Sequence, residues 1–281
     1  MVKLKSITEN ASFEAKQLCA YVFGVSSSDV IISGIIASVQ QIETLNKLAA
    51  QRLDGYPLQY IIKQWEFYGI TLEVGEGVLI PRPETELAAE IAINELSKTD
   101  GRKKVLNFLS KTDGKKKVLD LCSGSGCIAI AIKANSNADV YALELCQNAL
   151  YYLRRNIKKN NADITVIEGD LHNLKLTENL APFDIITANP PYLSQHDMNN
   201  LQKEVSHEPK TALYGGKDGL DFYRFIIKEY KSLLIDKGML ILEIGINAKN
   251  EIKQLLENNG YKNIKEHKDL SGIVRVITVD N

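Results

Sequence analysis

Nothing in this sequence approaches the roughly 20 consecutive apolar residues of a membrane-spanning helix. The opening Met1-Val2-Lys3-Leu4-Lys5 runs into polar residues without the apolar segment of a signal peptide. A soluble, cytoplasmic protein that does not contact membrane is the expectation. Charge of one sign is also lacking. A formal net charge of −1 gives no bulk attraction to nucleic acid, so no direct nucleic-acid substrate is expected. Cysteine is scarce, and Cys19, Cys122, Cys127 and Cys146 form no Cys-x-x-Cys pair. They read as four buried, reduced thiols, without a zinc or disulfide framework. His172, His196, His207 and His267 show no mutual ligand spacing, so no metal is expected and none of them is given a role.

What is present is an ordinary globular composition, 44% hydrophobic and 25% charged over 281 residues, enough for one large domain and a small one. Residues 1–63 carry almost no strand signal. Apolar residues recur there at helical spacing, as in Ile31, Ile32, Ile35, Ile36 and Val39, then Leu45, Leu48 and Leu53, which predicts a small helical bundle. Residues 64–82 change texture. Trp65 to Tyr68 and Ile70 to Val74, broken by Gly69, Gly75 and Gly77, predict a β-hairpin followed by a Pro-rich linker.

Residues 83–281 alternate short apolar strands with amphipathic helices. A helix from about Glu84 to Leu96 precedes strands at Lys117–Leu121, Asp139–Leu143, Ile164–Ile167, Phe183–Ala188, Met239–Ile244, Tyr261–Glu266 and Ile273–Val279. Helices Gly126–Ala134 and Gln147–Asn160 lie between the early strands. This pattern predicts an α/β fold with a mostly parallel seven-stranded sheet covered on both faces. The last two strands are joined by Asp269-Leu270-Ser271-Gly272, too short for a crossover helix, so that pair is expected to be antiparallel. Residues 96–108 recur almost verbatim as 109–121. Only the second copy continues into a glycine loop, so the first is expected to be an inserted loop or an extra short element.

Two sites carry chemistry. Val118 to Leu121 leads into Cys122-Ser123-Gly124-Ser125-Gly126, a strand-to-helix turn where an open α/β sheet binds its ligand. Gly-x-Gly alone is weak evidence, since a tight turn explains it too, and Ala129 replaces the third glycine of a dinucleotide fingerprint. Glu144 follows Gly126 by 18 positions, where a carboxylate meets the ribose hydroxyls of an adenosyl group. Asp170 and Leu171 are placed to meet the adenine, Asp170 at its amino edge and Leu171 by apolar contact. The second site is Asn189-Pro190-Pro191-Tyr192, directly after the apolar run Phe183 to Ala188. Prolines have no backbone N–H, so this turn offers carbonyl oxygens, the Asn189 side-chain oxygen and a flat Tyr192 face to a planar NH2 group. That is the chemistry of an N-methyltransferase acting on an amide or an exocyclic amine. Gly77 to Glu86 bridges the domains, either as a stiff linker or as a lid over the cofactor.

In order along the chain, Arg52 to Ile61, Val78 to Glu86, Val118 to Gly126, Asn189 to Tyr192, Glu208-Pro209, Ala212 to Leu220 and Glu243-Ile244-Gly245 resemble the release-factor glutamine N5-methyltransferase family. The resemblance covers most of the chain. It implies a class I S-adenosylmethionine-dependent methyltransferase, Rossmann-like, whose substrate is the glutamine of the Gly-Gly-Gln motif in class-1 peptide-chain release factors. The small N-terminal domain would recognise the release factor. The resemblance further implies cofactor contacts from Cys122, Ser123, Gly124, Ser125, Gly126, Glu144, Leu171 and Asn189. The substrate glutamine would be held by Asn189, Pro190, Pro191 and Tyr192, with Asn189, Pro190 and Tyr192 catalytic. Cys122 stands where a glycine is usual, Glu144 replaces the commoner Asp, and Leu171 a frequent aromatic. The rival readings are an adenine-N6 or guanine-N2 methyltransferase, which needs a basic groove and a flipped base, and a non-catalytic module that binds release factor or ribosome. A dinucleotide oxidoreductase is disfavoured by the missing third glycine.

Overall fold

The computed structural model describes residues 10–32, 36–106 and 114–281. The helical part comprises α1 (Ala11–Phe23), α2 (Asp29–Ile32), α3 (Val39–Leu53) and α4 (Leu58–Ile62). Leu18, Leu58, Ile61 and Ile62 form its buried centre. Ile36 and Val39, from the expected apolar row, do not line this core. Ile36 is 97% and Val39 73% exposed, and Ile35 lies outside the described residues. The cause is local: Ser38 and Gln41 form a capping box that starts a new helix at Val39, which breaks the 3.6-residue register.

Strands β1 (Gln64–Phe67) and β2 (Ile70–Glu73) pair antiparallel, Trp65 opposite Leu72. Tyr68 and Gly69 both have positive φ, 47° and 74°, the geometry of a tight two-residue hairpin turn. The chain then enters α5 (Glu86–Leu106), which runs ten residues past the expected end at Leu96 and takes in most of the first repeat copy. That copy is a helical extension up to Leu106, not an inserted loop. Residues 107–113, the end of the first copy and the start of the second, lie outside the described residues.

The sheet follows with β3 (Lys117–Leu121), α6 (Cys127–Ala134), β4 (Asp139–Glu144), α7 (Gln147–Lys159), β5 (Ile164–Glu168) and β6 (Phe183–Ala188). Two short helices, α8 (Gln195–Met198) and α9 (Lys210–Leu213), precede α10 (Asp221–Glu229) and β7 (Leu234–Glu243). The chain ends with α11 (Lys249–Asn258), β8 (Lys262–Lys268) and β9 (Val274–Asp280). The strand order is β5-β4-β3-β6-β7-β9-β8. The first five strands are parallel, and β9 runs antiparallel to both β7 and β8. This is the class I methyltransferase fold, with the order reversing beside β3.

Alternation along the strands explains why both faces are covered. Leu119 and Leu121 pack with Phe183, Tyr223 of α10 and Ile252 of α11 on one face. Val118, Val140 and Ile185 pack with Ala88, Ala92 and Ile130 on the other. Helix α6 is apolar all round, with Ile128 to Ile132 at most 3% exposed, because it is buried between α5 and the sheet.

Candidate active site

The C-terminal ends of β3, β4, β5 and β6 open into one cleft, which encloses about 1000 Å³ with the open solvent at its mouth included. Cys122, Ser123, Gly124, Ser125, Glu144, Leu171, Asn189 and Pro191 line it. Gly126 does not. It caps α6 at φ 84° and a Cβ there would lie 2.5 Å from Leu153, so it allows the loop to turn close against α7. Gly77, Val78, Leu79, Pro81, Arg82 and Thr85 supply the opposite wall, which places the linker over the strand ends.

Glu144 holds the glycine loop. Its Oε2 accepts from Gly124 N at 2.7 Å, and Oε1 from Leu145 N at 2.9 Å and Cys146 N at 2.8 Å. Each carboxylate oxygen offers two acceptor directions, so Oε2 retains one for a ligand hydroxyl. Asp170 also lines the cleft. Its Oδ1 takes two hydrogen bonds from His172, at 2.9 Å from the backbone and 2.7 Å from Nδ1. Burial acts to raise the Asp170 pKa, but the His172 bonds outweigh it and hold the carboxyl below its ordinary value. The cysteines differ from expectation: none is fully buried, and Cys122, Cys127 and Cys146 face this cleft, Cys122 and Cys146 just beyond the strand tips and Cys127 at the start of α6.

A second cavity lies on the far side of Asn189. Tyr192, Glu84, Glu243 and Arg275 line it, and Leu79, Arg82, Asn189 and Ala212 belong to both linings. Asn189 therefore stands in the wall between two spaces. Its Nδ2 donates to Thr85 Oγ1 at 3.3 Å, which turns Oδ1 the other way. Pro190 is buried behind it. Tyr192 packs its ring against Gly245, where a Cβ would sit 3.2 Å from the ring. Burial, and then the charge of Glu243, push the Tyr192 phenol up to about 12, so it is neutral near pH 7.

The turn is clamped from outside. Gly215 N donates to Leu193 O at 2.9 Å, and Leu193 N to Leu213 O at 2.8 Å. Glu208, 4% exposed, accepts from Ile80 N at 3.0 Å and pairs with Arg82, which fastens the linker to the segment after Tyr192. Arg52 reaches from α3 to the same segment, bonding Glu14 at 2.7 and 3.0 Å and Glu204 at 3.0 Å. Glu208 and Glu243 stood in the sequence only as parts of longer strings, and Thr85 within the linker. A buried-strand Asp at position 120 was the one missed residue with a plain signal.

Comparison with known proteins decides the family. The Methyltransferase small domain family matches residues 97–259 and the PrmC N-terminal domain residues 2–62. A release factor glutamine methyltransferase of Thermodesulfovibrio yellowstonii is 34% identical over 98% of this chain and 95% of its own length. The chain belongs to the release factor glutamine methyltransferase family. The relative of the same name from Flavobacterium psychrophilum is 38% identical over 80% of this chain and 75% of its own. A crystal structure of a methyltransferase from Pyrococcus furiosus is similar in fold, with a TM-score of 0.55 at 20% identity, over 84% of this chain and 98% of that one.

The cleft fits S-adenosylmethionine on its own chemistry. Two buried oxygens on its lining, Asp120 Oδ2 and Ser125 Oγ, have no hydrogen-bond partner, and a buried carboxylate oxygen so placed is an acceptor for the N–H donors of an ammonium group. Burial pushes the Asp120 carboxyl up to about 7 against the opposing bond from Thr187 Oγ1, 2.7 Å away. A bound cation would bring it back down.

Proposed function

We propose that this protein transfers the methyl group of S-adenosylmethionine to the side-chain amide nitrogen, N5, of the glutamine in the Gly-Gly-Gln motif of class-1 peptide-chain release factors, in the cytoplasm. The observation that carries this reading is Asn189 in the wall between two cavities, followed by two prolines that add acceptors and no donors. One cavity suits the cofactor. The other admits a protein side chain.

S-adenosylmethionine supplies an electrophilic methyl group on a positively charged sulfur. Cys122 to Ser125 would bring backbone close to it, Glu144 Oε2 would accept a ribose hydroxyl, and Leu171 would give apolar contact to the adenine. Asn189 Oδ1 and the Pro190 carbonyl each accept one N–H of the glutamine amide. Positive charge would grow on that nitrogen as it gains the methyl carbon, until one N–H proton passes to solvent, so these acceptors would bind the transition state more strongly than the ground state. An amide nitrogen is a poor nucleophile, because its lone pair is delocalised. The turn must therefore hold the nitrogen out of conjugation and in line with the methyl carbon, with Pro191 and Tyr192 packing beside the amide plane. Residues 1–63 recognise the release factor, residues 64–82 join them to the site, and residues 83–281 carry the chemistry.

The test offers labelled S-adenosylmethionine with a purified class-1 release factor, and separately with RNA and DNA. Label on the release factor is expected; label on nucleic acid alone would overturn the proposal.

A further inference from the structure

Residues 194–208 leave the acceptor turn as a strap along the second cavity, where His196, Asp197, Asn200, Leu201, Gln202 and Val205 form part of the lining. The ends of the strap are tied to the catalytic part and the linker. Gln195 N donates to Lys217 O at 3.3 Å, and Glu208 accepts from Ile80 N at 3.0 Å. Between those ends, among the described residues, the hydrogen bonds that leave the strap run to the helical part. Arg52 Nη2 donates to Glu204 Oε2 at 3.0 Å, and Lys203 Nζ to Asp54 Oδ1 at 2.6 Å. The ring of Tyr56 meets that of His207 edge-on, with centroids 5.2 Å apart. Gly55 permits this approach, since a Cβ there would lie 2.8 Å from Lys203 Cδ. Arg52 is itself anchored, 3% exposed and bonded twice to Glu14.

We infer that the helical part shapes the substrate cavity, with Arg52 and Asp54 as positioning residues that hold the strap through Glu204 and Lys203. This deepens the proposed function and rests on it. A segment bonded to the catalytic part only at its ends can take many conformations, and fixing each residue costs conformational entropy. The helical part orders the strap before substrate arrives, so the cavity is already formed when a glutamine side chain enters. Without the two pairs, the strap must be ordered as the substrate binds, which weakens binding. The acceptor turn does not depend on them, because Leu193 is bonded to Leu213 and Gly215. Loss of the pairs therefore raises KM for the release factor and leaves kcat and cofactor binding intact.

Lys203→Asp breaks one pair, Glu204→Gln weakens the other, and the charge swap Asp54→Lys with Lys203→Asp restores the first in reverse. The Asp54 and Lys203 side chains are 84% and 65% exposed, so neither change disturbs a core. Two readouts are taken on the full chain. The first, which needs no substrate, is amide hydrogen exchange of residues 196–207, read by mass spectrometry on the ligand-free protein. The second is KM and kcat with a purified class-1 release factor. Lys203→Asp should speed exchange in the strap and raise KM, each by up to about 5-fold, the limit for one exposed pair. Glu204→Gln should act in the same direction, and Lys203→Asp combined with Glu204→Gln more strongly than either. In all three, kcat and the calorimetric affinity for S-adenosylmethionine should stay close to wild type. The charge swap should return both exchange and KM toward wild type, whereas a side chain that touched the release factor directly would not be rescued. Unchanged exchange of the strap in the combined variant would overturn the inference, as would a raised KM that the charge swap leaves raised. A wild-type enzyme inactive on release factor would instead remove the functional reading, and hydrogen exchange would still decide whether the helical part holds the strap.

Discussion

Gly215 gives the sharpest steric test of the acceptor turn. A Cβ at this position would lie 2.5 Å from Pro191 O, 2.8 Å from Tyr192 Cα and 2.9 Å from Gly219 O. All three are backbone atoms, so no side-chain rotation relieves the clash. Moving Pro191 O from 2.5 Å out to the 3.4 Å of ordinary contact is a displacement of about 0.9 Å, applied to the turn proposed to hold the reacting amide. A misplacement of about 1 Å in a reacting group costs roughly 10²-fold in rate. Gly215→Ala should therefore lower kcat on release factor about 100-fold. Calorimetric binding of S-adenosylmethionine should stay close to wild type, because Gly215 is outside the cofactor cleft lining. Gly114→Ala, whose Cβ meets nothing within 4 Å, serves as the control. A Gly215→Ala enzyme with wild-type kcat would refute the claim that the turn's position limits the reaction.

Asn189→Ala should abolish transfer while much of the cofactor binding survives; an active variant would refute the amide-clamp role. Two buried carboxyls give a pH signature. Burial lifts Asp120 from 3.8, and Glu243 from 4.5, to about 7 in each case. The folded state then binds more protons than the unfolded state between about pH 4 and 7, so this stability is complete below pH 4 and falls as pH rises to 7. For Asp120 the fall is on the order of 4 kcal/mol. Urea unfolding of the ligand-free protein should show lower stability at pH 8 than at pH 5, and Asp120→Asn should flatten that slope; an unchanged slope would exclude Asp120 as its source. Arg52→Ala leaves Glu14, 8% exposed, without its cation and should cost about 3–5 kcal/mol in urea unfolding of the helical part. A change under 1 kcal/mol would show that the pair contributes little.

The sheet was legible because buried strands read as apolar runs: each of the seven expected strands exists, and the short link after Lys268 does join an antiparallel pair. The misses have physical causes. The Lys-Thr-Asp-Gly of residues 98–101 reads as a helix stop, yet α5 continues through it. The β7 strand begins five residues early, at Leu234, because its pairing with β6 shifts register around the polar Asp236-Lys237-Gly238. The cleft-lining glycine loop and acceptor turn could be placed from sequence, since both directly follow strands. Thr85 and Glu208 could not. Their importance comes from contacts across more than 100 positions, which no local pattern encodes.

The proposed occupant of the space between Asn189 and Tyr192 is a glutamine side chain. Fragment-ion mass spectrometry of the Gly-Gly-Gln peptide, after incubation of release factor with S-adenosylmethionine and this protein, tests it directly. One added methyl group is expected on the side-chain nitrogen of that glutamine, absent when Asn189→Ala replaces wild type. A glutamine left unmodified, with methyl recovered on another residue or on nucleic acid, would contradict it.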